Sequence, residues 1–142
     1  MKNSIIDNMK KILFVLFAAC LFTACDKEVM PVLGDISVTT DENNPEVITC
    51  TVDVVEGSVA DGGFYYGTNK NSVSNGKATQ LAGTYTGTAI QGEIKGLVPN
   101  TTYYIKAYAI NEKGIANTEV VQVKTAARIP GAGDNQYPGT SK

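Results

Sequence analysis

The chain has no histidine, 3 cysteines and 14 carboxylates among its 142 residues, and this inventory limits the chemistry it can hold. Without histidine, neither a Ser/His/Asp triad nor a Cys/His dyad can be assembled, and most hydrolytic chemistry goes with them. No phosphate-binding loop, dinucleotide fingerprint or Gly-x-Ser-x-Gly elbow occurs, so no catalytic residue is assigned. Asp41, Glu42 and Glu46 form one acidic loop group and Glu56 with Asp61 another. Neither has the regular spacing of a calcium loop; both read as solvated charges, and no metal or cofactor is expected. Nothing singles out a carboxylate pair for glycoside hydrolysis. A net charge of −2 supplies no basic field, so nucleic acid is not an expected partner. The remaining candidates for recognition are tyrosines. Tyr65, Tyr104 and Tyr108 fall on one strand parity, where a flat cluster would stack on sugar rings or anchor a protein interface. Cross-strand pairing is the competing account, because tyrosine favours strands and pairs well across them.

The N-terminus reads as a targeting signal. Lys2, Lys10 and Lys11 precede an apolar run from Ile12 to Phe22 that ends in the small residues Thr23 and Ala24. That run falls well short of the roughly 20 apolar residues a spanning helix needs. Translation from Met9 would leave the same mature chain. Leu21-Phe22-Thr23-Ala24-Cys25 resembles a bacterial lipobox, which implies removal of residues 1–24 and acylation of Cys25. Phe22 departs from the usual smaller aliphatic, and Cys20 is a rival site. Cleavage at Cys20 would shorten the apolar run and leave Leu21 and Phe22 on the mature chain. Asp26-Lys27-Glu28 resembles the charged export signal of some Bacteroidota lipoproteins. With Cys20 removed and Cys25 acylated, Cys50 has no disulfide partner, and the common zinc constellations lack ligands. Residues 25–30 then form a short tether of at most about 17 Å at roughly 3.4 Å per residue.

Beyond the tether the pattern is all-β, with no convincing helical period. Ile36 and Val38, then Ile48, Cys50, Val52 and Val54, recur every second residue, so each strand buries one face. Asp41 to Pro45 is a loop. Gly63 to Gly67 is a glycine-bounded aromatic strand, and Asn75-Gly76 offers a hairpin-type turn. Lys77 to Leu81 is a weak strand. Thr86 to Ile94 alternates, with Ile90 and Ile94 inward. Residues 128–142, rich in Gly and Pro, read as a flexible C-terminal tail.

Gly96-Leu97-Val98-Pro99-Asn100-Thr101-Thr102-Tyr103, followed by an alternating strand, Ala109-Ile110-Asn111 and Gly114, closely resembles the late-strand signature of fibronectin type III domains. The resemblance covers residues 31–127 and implies a seven-stranded immunoglobulin-like sandwich whose termini leave at opposite ends. On that alignment Tyr103 is the tyrosine corner, Leu97 plugs the core, and Val121 and Val123 of a last strand from Thr118 to Thr125 face inward. The core tryptophan common in the family is missing. Cys50 is expected in its neighbourhood, as a buried structural thiol, with Phe64 and Tyr66 making up volume.

Taken with the signal, this resembles the fibronectin type III lipoproteins of Bacteroidota. The implied function is a non-catalytic binding or spacer module, a monomeric domain held on the outer membrane or cell surface by lipid and facing a polysaccharide or protein. The alternative is a structural or adhesive assembly subunit that makes contact through its tail or an edge strand.

Overall fold

The computed structural model describes residues 28–130. The proposed signal, Cys25 and the C-terminal tail from residue 131 lie outside them. Nine strands and one short helix follow in order: β1 (Val32–Thr40), β2 (Ile48–Glu56), β3 (Asp61–Gly67), α1 (Lys70–Ser74), β4 (Thr79–Ala82), β5 (Thr84–Tyr85), β6 (Ala89–Ile94), β7 (Thr102–Asn111), β8 (Gly114–Asn117) and β9 (Val121–Lys124). They form two antiparallel sheets, β1-β2-β6-β5 and β4-β3-β7-β8, with β9 pairing β7 beyond β8.

Alternation builds the core. Ile48, Cys50 and Val52 are fully buried on β2, facing Phe64 on β3 and Ile105, Ala107 and Ala109 on β7. Leu97 is buried, and Val121, Val123 and Tyr66 pack against the same cluster. Cys50 pairs with Gly92, so two small residues lie side by side in the first sheet. Phe64 fills the recess from the opposite sheet. Its ring would stand 2.9 Å from a Cβ at Gly92, which explains how the core closes without tryptophan.

The strand number departs from the expected seven. The strand expected from Thr118 to Thr125 is shortened to β9, and Gly114–Asn117 is an additional strand, β8; between them Thr118 bonds Ala107 of β7 twice, its N–H donating to the carbonyl and its Oγ1 accepting from the N–H, both at 3.0 Å. The two-residue β5 is the other addition. Asn75-Gly76 is not a hairpin turn; it ends α1, with Gly76 at φ 65° in the position after the cap. Tight hairpins lie instead at Glu112-Lys113, between Asn111 and Gly114, and at Gly87-Thr88, between Thr86 and Ala89.

Val29 and Met30, assigned above to the tether, are held by the domain. Asn111 Nδ2 donates to the Val29 carbonyl at 2.6 Å and to that of Ser58 at 3.1 Å, while its Oδ1 accepts from the Lys113 N–H. The buried Asn111 thus clamps the entering chain to two turns at one pole. The chain leaves at the other pole, where Arg128 pairs with Glu46.

Candidate functional site

The outer face of the second sheet carries the tyrosine row. Register places Tyr108 opposite Gly63, Lys106 opposite Tyr65, and Tyr104 opposite Gly67. All three tyrosines therefore share one face, but the face is covered. Asn69 caps α1 by accepting from the Asn71 and Ser72 N–H groups through Oδ1 at 3.0 and 3.2 Å, and the helix lays Val73, fully buried, over β3 and β7. Lys106 Nζ donates to the Ser74 carbonyl at 2.8 Å and lies 5.9 Å from the centre of the Tyr65 ring.

This cover corrects the expectation of an open three-tyrosine patch. Tyr108 is 1% exposed. Its ring centre lies 4.9 Å from that of Tyr65, and its hydroxyl accepts from Gln80 Nε2 at 2.6 Å across Gly63. Tyr65 and Tyr104 are half-buried. Tyr65 and Tyr108 pack on each other on this face, while Val73 is buried beside Gly67, 3.8 Å from where a Cβ there would stand. The helix was missed because it has one apolar residue and therefore no period. Its readable signal was the pair of ends, Asn69 before it and Gly76 after it.

Tyr103 is buried where the chain crosses between sheets, and its Oη accepts from the Val98 N–H at 3.0 Å. Two partners strengthen this corner. The Leu97 N–H donates to the Glu46 carbonyl at 3.0 Å. Thr125, also buried and not singled out from sequence, donates through Oγ1 to the Val98 carbonyl at 2.7 Å and accepts from the Thr101 N–H at 2.9 Å. Tyr103→Phe should cost about 1–2 kcal/mol in urea unfolding, because the Val98 N–H loses its acceptor while the ring stays packed. Tyr104→Phe should leave the midpoint unchanged.

Cys50 is a free thiol whose pKa burial pushes up from 9.0 to about 12. At neutral pH it is neither thiolate nor accessible, so it is no nucleophile. Thiol reagents should react only on denaturation. The unfolded thiol ionises above about pH 9 while the native one keeps its proton, so stability should fall between pH 9 and 12. Cys50→Ala should lose that part of the alkaline decline, and an identical pH profile for the two proteins would contradict it.

Among the described residues no three or more His, Cys, Asp or Glu side chains gather as metal ligands. A shallow open groove crosses the outer face of the first sheet, lined by Thr49, Thr51, Thr84, Gln91, Gly92 and Glu93. No aromatic ring lines it.

No protein-family model and no curated protein matches the chain. Solved structures do. The chicken CNTN1 FN1–FN3 domains superpose with a TM-score of 0.52 at 21% identity over 70% of this chain, which spans 31% of that one. The fn3 domain of human collagen alpha-1(XX) chain superposes with a TM-score of 0.50 at 12% identity, over 76% of this chain and 94% of that one. With two antiparallel sheets, the chain crossing at Leu97 and the Tyr103 corner, the described domain has the fold of a fibronectin type III sandwich.

Proposed function

We propose that this chain is a lipid-anchored, non-catalytic module of the cell envelope. In this reading the sandwich serves as a binding or spacer unit for polysaccharide or protein, and the lipid sits on Cys25. The observation that carries the reading is position. The sandwich begins to hold the chain at Val29, four residues after the lipobox-like cysteine. Such a short connection suits a domain tethered at a membrane surface. Several acyl chains, each worth about 0.8 kcal/mol per buried CH₂, would hold it there. The missing histidine and the unreactive Cys50 support a role without chemistry.

Cys25→Ala should abolish incorporation of an alkyne fatty acid and release the protein from membranes, while Cys20→Ala should do neither. Full labelling of the Cys25→Ala protein would remove the anchor assignment.

A further inference from the structure

The pole where the chain enters is apolar. Among the described residues the exposed large apolar side chains include Val29, Met30, Val32, Val55 and Ile115, and all five lie at this end. Val29 and Met30 lead into β1, and Val32 is its first residue. Val55 is next to last on β2, and Ile115 is second on β8. Val55 is 68% exposed and Ile115 58%, on the outer faces of opposite sheets, so the apolar groups ring the pole. A sandwich needs no apolar side chains there for its own core.

The occupant of this ring follows from the tether. Asn111 pins Val29, so only Asp26, Lys27 and Glu28 separate Cys25 from the fold. The lipidated residue then lies at most about 14 Å from Val29, at roughly 3.4 Å per residue. Apolar side chains presented at that distance reach the headgroup and acyl boundary, where such groups immerse by about 5–10 Å. We propose that this pole docks into the lipid surface holding Cys25, fixing the sandwich upright with its C-terminal pole outward. The proposal rests on the lipid anchor argued above. Glu28, Glu56, Asp61 and Glu112 outnumber Lys113 around the ring, so the surface it fits is zwitterionic rather than anionic.

The chain has no tryptophan, so one introduced indole reports its own surroundings. Lipidated protein carrying Val55→Trp, Ile115→Trp or Val98→Trp is reconstituted into phosphatidylcholine vesicles with brominated acyl chains. Val98 is 60% exposed at the far pole and serves as the reference. The expected result is a blue shift and bromine quenching for Val55→Trp and Ile115→Trp, neither for Val98→Trp, and a smaller shift in phosphatidylglycerol vesicles. Flotation of all three with similar emission and no quenching would overturn the docked pole and leave the anchor standing. Protein that does not float refutes the anchor, and the orientation with it. A blue shift at Val55 and Ile115 that precedes lipid and grows with protein concentration would assign the ring to a second copy, overturning the membrane assignment.

Discussion

Tyr108→Ala is expected to lower the free energy of unfolding by about 3–5 kcal/mol, the cost typical of truncating a fully buried aromatic ring. The ring is 1% exposed, tilted against Tyr65 and bonded to Gln80 of β4. Removing it leaves a cavity between Tyr65 and β4. Small domains have about 5–15 kcal/mol in total, so the variant would stand near the limit of folding. Tyr108→Phe should cost only about 1 kcal/mol, because it removes the hydroxyl and keeps the ring. Urea unfolding of the two variants separates ring from hydroxyl. A wild-type midpoint for Tyr108→Ala would mean that the ring is not buried against Tyr65 and β4.

The second large effect is expected at Gly63. A Cβ there would collide with the Leu81 carbonyl oxygen and stand 2.9 Å from the Gly83 nitrogen. Both obstacles are backbone, so no side chain can swing aside. The contact arises because the chain crosses from the second sheet to the first at Gly83, whose N–H donates to the Gly62 carbonyl at 2.8 Å. A Cβ at Gly62 would in turn stand 2.6 Å from Ile90 Cδ1. Overpacking usually costs about 1–3 kcal/mol, and against rigid backbone Gly63→Ala should reach or exceed the upper end. Gly67→Ala is the matched control on the same strand and face. Its Cβ would meet nothing closer than 3.7 Å, and its midpoint should barely move. Equal midpoints for the two variants would show that β4 does not press on β3.

What was legible in the sequence was what depends on neighbours along the chain. Period two put Ile48, Cys50 and Val52 inside, and the resemblance of Leu97 to Tyr103 to the fibronectin type III signature implied the crossing between sheets that the structure shows. Strand parity also placed Tyr65, Tyr104 and Tyr108 on one face. Parity distinguishes the two faces of a sheet but does not say what lies on them, and α1 covers this one. The crossing at Gly62, Gly63 and Gly83 was illegible for a related reason. Its glycines serve a close approach between segments twenty residues apart, which leaves no local pattern. The break between β8 and β9 falls at Thr118, whose N–H and Oγ1 both bond Ala107 on β7.

The Asn111 clamp and the opposite exits of the chain have a mechanical consequence. Tension applied between the two ends of the domain runs nearly parallel to the strands. It enters through Val29 and β1, and leaves through β9 and Thr125. The ladder bonds between β1 and β2 lie across that direction, so they bear load together in shear rather than parting one at a time. Asn111 Nδ2 holds the first point of attachment, sharing the initial pull between the turns at Ser58 and Lys113 before any strand is drawn upon.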